Sequence, residues 1–240
     1  VVETRGHVLV FDTGPRWRNG SAAARVSLLP WLHARGIRRI DRLVLSHDDS
    51  DHTGGSRALL DSLPVGRVMA GPRVRQNPPA AICRRGQHWR WDGVEFRVLH
   101  PGGTTSGRDN DDSCVLRVAG AGGSALLLAD PETDAEQELL SQSLAAEVVL
   151  VPHHGSRTSS GTAFVAAVGA RLGLVSAGFG NRWNLPDRGV VTRWQAAGAT
   201  LLTTADAGAI AVHFPPGPGE IEVRAERLES RRWWRRRAAT

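Results

Sequence analysis

The chain has no lysine, so all of its 30 basic side chains are arginine. Every fixed positive charge is therefore a planar guanidinium suited to bidentate contact with phosphate. A genome rich in G and C would also exchange Lys for Arg. There are only two cysteines, Cys83 and Cys114, neither of them in a CxxC pair, and zinc-finger spacing is absent. No apolar run approaches the ~18 residues of a helical membrane span, so none is expected. The sequence opens Val1-Val2-Glu3, with neither Met nor a signal peptide. It reads as a fragment of something longer, with any targeting information upstream.

What is present is ordinary for a globular protein. The 240 residues are 41% hydrophobic and 22% charged, enough for one large domain or two small ones. The net charge of +6 favours an anionic partner, although the last ten residues inflate the basicity. Cys83 and Cys114 flank a Trp-rich strand pair. In an oxidising compartment they fit a single disulfide, and otherwise two unrelated buried thiols.

HVLVFDTG (7–14) reads as a strand ending in a turn, and 21–35 as a helix broken near Pro30. RLVLS (42–46) is a buried strand followed by a loop over 47–55, and a helix starts near Gly55. GRVMA (66–70) is a strand and 71–87 a loop. HWRW and VEFRVLH are joined by Asp92-Gly93, a strong hairpin signal. CVLRVAG and SALLLAD form a second hairpin. A helix over 131–143 carries acidic residues in its first turns. EVVLVPHHGS (147–156) is a strand ending in two histidines. Helices at 162–169 and 188–198 alternate with strands at 171–177, 200–203 and 208–214. From Pro215 the composition turns to Pro/Gly and then to an Arg/Trp tail, which places one α/β domain over 1–214 and a basic tail over 215–240.

The stretch LVLSHDDSDHTGG (43–55) puts two histidines and three aspartates in six positions. Packed carboxylates repel, and burying them uncompensated is costly. The segment is a solvated loop or it surrounds a cation. In His47-x-Asp49-x-Asp51-His52, alternate residues leaving a strand can turn toward one point, while Asp51 and His52 reach a second. Asp130, at the end of SALLLAD, is a candidate bridging carboxylate. Asp111 and the pair His153/His154 are candidates to complete the shells. All three clusters follow the C-terminal end of an apolar strand, where active sites of layered α/β proteins collect. Imidazole with carboxylate suits Zn, Mn or Fe, and two such ions about 3.5–4 Å apart would activate water for an in-line phosphoryl displacement.

HxDxDHxGG, a strand ending in Asp, and VPHHGSRTSS together resemble the metallo-β-lactamase superfamily. More narrowly they resemble the C-terminal domain of ComEC competence proteins, over nearly the whole chain. That resemblance implies an αββα sandwich and a metal-dependent DNA nuclease that degrades the strand not imported. It further implies two divalent ions and no small-molecule cofactor. Asp49, where most of the superfamily has His, hardens the site and favours Mn over Zn. The expected ligands are His47, Asp49, Asp51, His52, Asp111, Asp130, His153 and His154, with Asp51, His153 and His154 catalytic. Asn110 or Asp112 are alternatives to Asp111. Asp12, in FDTG, matches a loop aspartate that supports the site through hydrogen bonds. The implied partners are DNA, single-stranded by preference, and the channel and OB-like domains of an inner-membrane parent. The domain itself would face the periplasmic or extracellular side.

Arg157 and Arg182 are candidate phosphate contacts, as are backbone N–H groups at Gly54-Gly55. RRWWRRR (231–237) fits base stacking with phosphate contacts, or an anchor on an anionic membrane. Trp17, Trp31, Trp89 and Trp91 are expected in packing. Two departures from the family pattern stand out. Leu185 occupies the place of a usual His and can neither bind metal nor move a proton. TTADAGA (203–209) stands where acidic residues are usual. The alternatives are a degenerate domain of the same fold that guides DNA, or a small-molecule ester hydrolase.

Overall fold

A computed structural model of the chain describes residues 1–75, 80–103, 106–217 and 220–230. It divides into two compact units, Val1–Leu116 and Arg117–Thr240. The first unit holds a five-stranded sheet of β1 (Val2–Glu3), β2 (Val8–Phe11), β3 (Ile40–Leu45), β4 (Val65–Ala70) and β5 (Ala81–Ile82), in that order. β1 is antiparallel to β2, and all later neighbours are parallel. A parallel sheet is buried on both faces, which is why β3 reads as a nearly unbroken apolar run.

A π-helical turn at Ala24–Leu28 continues directly into α1 (Leu29–Ala34). The chain stays helical through Pro30, but its hydrogen bonding changes from π to α just before it, so the missing Pro N–H falls where the regular pattern is already interrupted. α2 (Ser50–Thr53) occupies part of what reads as a loop, and α3 (Ser56–Ser62) follows. Leu29 and Leu32 of α1 and Leu59 of α3 pack on Val10, Ile40, Leu43 and Leu45 to form the core of this unit. Gly54 and Gly55 are required by close approach: a Cβ at Gly54 would stand 2.4 Å from the Arg16 N, and one at Gly55 2.6 Å from the Thr13 carbonyl.

β6 (His88–Trp91) and β7 (Val94–His100) form the expected antiparallel hairpin. Asp92 and Gly93, at φ 51° and 84°, supply the two positive φ values of a type I′ turn. The segment expected as a loop over 71–87 contains β5, drawn along β4 by the Cys83 N–H bond to the Ala70 carbonyl. Cys83 and Cys114 form a disulfide, the first of the two alternatives. The Cys114 N–H donates to the Ser46 carbonyl at 3.0 Å, so this bridge ties down the residue just before His47.

β8 (Val115–Gly120) contains the division between the units. The second unit continues with β9 (Gly123–Leu127), β10 (Val148–Leu150), β11 (Leu172–Val175) and β12 (Thr200–Thr203), and the strands lie in the order β12-β11-β10-β9-β8. β9 through β12 are parallel. α4 (Thr133–Leu139), α5 (Thr162–Val168) and α6 (Arg188–Ala196) connect them, and α7 (Thr204–Ala207) follows β12. The strand expected over 147–156 stops at Leu150, since Pro152 has no N–H to donate and the backbone then turns left-handed. β13 (Ile210–His213) pairs antiparallel with β14 (Glu222–Ala225), and α8 (Glu226–Glu229) follows. Part of the stretch after Pro215 is therefore regular structure. The Arg/Trp tail at 231–237 lies outside the described residues.

Candidate metal centre

β2 ends at Phe11 and the next residue, Asp12, takes a left-handed backbone at φ 57°. Its side chain is a hub. Oδ1 accepts the Ser46 N–H at 2.8 Å, and Oδ2 accepts the Ser46 hydroxyl and His52 Nδ1, each at 2.8 Å. The Ser46 hydroxyl has one proton, and it points at Asp12. Its 2.9 Å contact with His47 Nδ1 is therefore one in which Ser46 accepts. The network assigns both His47 and His52 as Nδ1–H tautomers, with the lone pair on Nε2. One carboxylate thus orients two buried imidazoles, whose ring centroids are 4.2 Å apart.

His47 Nε2 is 3.6 Å from Asp49 Oδ2. Asp49 sits at the N-cap of α2 without capping it. Its carboxylate instead groups with His47 and Asp109, the three offering ligand atoms within 4.8 Å of one another. Asp109 Oδ2 accepts the Asp48 N–H at 2.8 Å, and burial pushes its carboxyl above the usual range. Its buried Oδ1 has no hydrogen-bond partner among the described residues. Asp51 is exposed in the first turn of α2, beside His52.

In the second unit β9 leads to Asp130, which is buried. The His153 N–H bonds to the Ala129 carbonyl at 2.9 Å, which ties the histidine pair to the strand that delivers the aspartate. His153 and His154 are both left-handed, at φ 49° and 53°. Both turn Nε2 toward Asp130 Oδ2, at 3.6 and 3.7 Å. His154 Nδ1 donates to the Ser176 carbonyl at 2.8 Å. His153 Nδ1 meets the Thr158 hydroxyl at 3.1 Å, and that hydroxyl donates to Glu132 at 3.0 Å. The same relay of imidazole, hydroxyl and carboxylate therefore appears in each unit. Glu136, buried on α4, accepts the Gly161 and Ser160 N–H groups and holds the loop that carries Thr158.

These donors fit a divalent cation. Each of the four imidazoles is tied at Nδ1 and presents Nε2 as the ligating nitrogen, the arrangement outer-shell partners impose on metal-bound histidine. The carboxylates lie beside the Nε2 atoms, where a cation offsets their charge.

The family model for the metallo-β-lactamase superfamily matches residues 1–178. The chain belongs to the metallo-β-lactamase superfamily. It is 39% identical to competence protein ComA of Neisseria gonorrhoeae over 95% of its own length and 32% of that protein's. It is 29% identical to ComE operon protein 3 of Bacillus subtilis, over 91% of this chain and 31% of that one. The chain thus spans about a third of the curated relatives it matches. Among solved structures, the metallo-β-lactamase fold protein YhfI of Bacillus subtilis aligns with a TM-score of 0.53, covering 84% of this chain and 85% of that one at 13% identity. The mixed α/β architecture read from the sequence is therefore that of a metallo-β-lactamase fold. The superfamily membership and the His/Asp groups agree on divalent metal binding.

Asp111 is buried with Oδ2 3.6 Å from Arg108 Nη1, and Asp112 accepts from Arg73 and Ser106. Asp109, two residues before the expected Asp111, groups with His47 and Asp49. The Gly54 and Gly55 N–H groups donate to the Ser50 and Gly14 carbonyls, so they are committed to the fold and do not form a phosphate cradle. Arg157 and Arg182 are exposed, the latter 4.2 Å over the ring of Trp183. Leu185 is half-buried and its N–H bonds to Asn181 Oδ1. Trp89 and Trp91 pack on Phe96 as expected, but Trp17 and Trp31 are 44% and 37% exposed. Ser46, Glu132 and Thr158 carry supporting roles that had no separate signal in the sequence.

Proposed function

We propose that the chain is a metal-dependent DNA nuclease domain of a competence DNA-uptake protein, hydrolysing phosphodiester bonds of the strand that is not imported. The observation that carries this reading is the tautomer network: each of the four histidines is held at Nδ1 with Nε2 presented beside a carboxylate. The ligands proposed in the first unit are His47, Asp49, Asp51, His52 and Asp109, with Asp111 as the alternative to Asp109; those proposed in the second are Asp130, His153 and His154. Divalent ions held by these sets would acidify water and stabilise charge on the phosphoryl oxygens. The carboxylate-rich donor set favours Mn over Zn. Asp12 and Glu132 fix ring orientation through Ser46 and Thr158. Arg157 and Arg182 hold phosphates and position the strand.

Relatives named as competence proteins support DNA as the substrate. Their greater length supports a parent with channel and OB-like domains in the inner membrane. The Cys83–Cys114 disulfide supports an oxidising compartment, on the periplasmic or extracellular side. No helix among the described residues is long and apolar enough to cross a membrane.

The test is degradation of end-labelled single-stranded DNA with Mn²⁺ and Zn²⁺ titrated in parallel, and Asp51→Ala as control. Metal-dependent cleavage that the variant lacks establishes the nuclease. Leu185 favours a second reading, a DNA-guiding domain without turnover. Salt-dependent DNA binding with no cleavage under any metal would select it.

A further inference from the structure

Five residues before His47, β3 carries an arginine that is almost fully buried. Arg42 is 9% exposed. Its guanidinium lies 3.7 Å from the ring centroid of Trp89 and 5.5 Å from that of Trp91. The buried Nε has no hydrogen-bond partner among the described residues, and no carboxylate among them pairs with the guanidinium. The carboxylate next in sequence, Asp41, is committed elsewhere. Its Oδ2 accepts the Val8 N–H at 2.9 Å, and its Oδ1 lies 3.5 Å from Arg39 Nε. Burial pulls the Arg42 pKa down to about 10, and nearby Arg67 acts in the same direction. A cation–π contact offsets only part of the cost of desolvating a charge.

Arg42 lines a pocket of about 400 Å³ together with Arg39, Arg67, Asp41, His7 and Trp91. Three guanidiniums there face one carboxylate. Gly66 leaves the space Arg39 occupies, since a Cβ would stand 3.1 Å from Arg39 Nη2. The His7 ring stacks on Trp91, with centroids 4.9 Å apart and planes at 6°. A second pocket of about 570 Å³, lined in part by Gln87, His88 and Trp89, shares Arg42, Gly66 and Arg67 with the first. The two pockets thus share guanidinium groups, and flat rings line each of them. By strand rise Arg42 is about 10 Å from Leu45, where β3 ends, and His47 lies two residues beyond, so this is a place apart from the first donor set.

We propose that the pocket is a binding subsite for single-stranded DNA, in which Arg39, Arg42 and Arg67 take a backbone phosphate and the adjacent base packs against the His7–Trp91 stack. The choice of DNA rests on the proposed nuclease function; the need for an anion rests on the uncompensated arginine. Phosphate contact combined with stacking is the way proteins hold single strands without reading sequence. A subsite on the strand that delivers His47 would keep hold of DNA while successive bonds are cut.

The test is fluorescence anisotropy of a labelled oligo-dT in EDTA, so that binding is read without metal or cleavage. Arg39 and Arg67 are exposed, and their replacement leaves the core intact. Arg39→Gln/Arg67→Gln is expected to weaken binding at least ~10-fold at low salt and to reduce the slope of log K against log salt by about 0.7 per arginine removed. Arg42→Met, which keeps the apolar stem on Trp89, is expected to behave likewise. Inorganic phosphate should compete, and Arg171→Gln, outside the pocket, should bind as the wild type does. Unchanged affinity and slope in the double variant overturn the proposal. So does loss of binding to phosphatidylglycerol vesicles with oligo-dT binding intact, which would assign the pocket to a lipid headgroup. A chain that binds oligo-dT through the pocket but cuts no DNA under any metal keeps the subsite and overturns the nuclease reading.

Discussion

Replacing Asp12 with Asn keeps the side-chain shape and the left-handed backbone, which Asn tolerates as Asp does. Both Asp12 oxygens accept hydrogen bonds, Oδ1 from the Ser46 N–H and Oδ2 from the Ser46 hydroxyl and His52 Nδ1. An amide has one oxygen and one NH2. With the NH2 at the Oδ2 position, it faces the His52 Nδ1–H donor to donor. With the amide reversed, it faces the Ser46 N–H in the same way. Either orientation forfeits at least one bond to an ionised acceptor, about 1.5–3 kcal/mol of folding stability. The effect on the metal site is more specific. A backbone N–H cannot become an acceptor but an imidazole nitrogen can, so the first orientation is favoured: His52 moves its proton to Nε2, the nitrogen proposed to ligate, and accepts the amide N–H at Nδ1. If the Ser46 hydroxyl turns away to follow, His47 loses its tautomer control too.

Outer-shell changes of this kind cost ~10–100-fold in metal affinity, or about 1.4–2.7 kcal/mol. The measurement is competition of Mn²⁺ and Zn²⁺ against a chromophoric chelator, with long-range proton–nitrogen NMR of the imidazoles reporting the tautomers. Asp92→Asn is an isosteric control in a surface turn and should leave metal affinity unchanged. Asp12→Asn affinity within twofold of wild type, with both rings still protonated at Nδ1, would refute the tautomer argument.

Reducing Cys83–Cys114 opens a loop with a sequence separation of 31. Loop-closure entropy gives a loss of about 3.7 kcal/mol, to be read as a lower urea midpoint by Trp fluorescence, and equal midpoints for oxidised and reduced protein would contradict it. The Asp92 carboxyl is held below its usual range by the Thr4 hydroxyl, then His7, then the Gly6 N–H. Its folded pKa is depressed, so its contribution is full above the unfolded value of about 3.9 and is lost as pH falls through the folded value. The protection of the Gly6 amide, relative to its intrinsic exchange rate at each pH, should fall below about pH 4 in the wild type and lose that dependence in Asp92→Asn. Glu136→Ala leaves the Ser160 and Gly161 N–H groups without their acceptor. It should cost about 2–4 kcal/mol by thermal unfolding, with faster exchange at those two amides, and unaltered protection would count against the anchoring role.

The parts of the fold written in local chemistry were legible. The β3 run and the ionisable loop after it locate the first donor set, because an apolar strand must end where charge begins. Asp92-Gly93 fixes a hairpin because few residue pairs accept two positive φ values. Parts decided by tertiary pairing were not legible. Asp109, Asp111 and Asp112 are alike as letters. Only the folded segment sends Asp109 to the Asp48 N–H and Asp112 to Arg73. Glu132 reads as a helix-start acid, and its contact with Thr158 crosses 26 residues. β14 was missed because a short strand beyond a Pro/Gly stretch is visible only through its pairing with β13.

The backbone itself marks the same places. Six non-glycine residues among those described have positive φ: Asp12, Asp92, His153, His154, Ser160 and Asn184. Asp92 serves a turn. Of the rest, Asp12 orients His47 and His52, and His153 and His154 are themselves the donors. Ser160 is held by Glu136 and Trp194. Asn184 lies beside Leu185, in a loop whose Pro186 packs against Gly155, the residue after the histidine pair. Left-handed backbone at a branched or ring side chain is unfavourable by about 1–3 kcal/mol, and it persists only where surrounding contacts over-determine it. Here those contacts are the hydrogen bonds that fix the imidazoles. A smoother backbone at His153–His154 would be more stable on its own, but the two Nε2 atoms would no longer meet at Asp130. The strain and the donor geometry are thus one feature of the second unit, and the loss of one predicts the loss of the other.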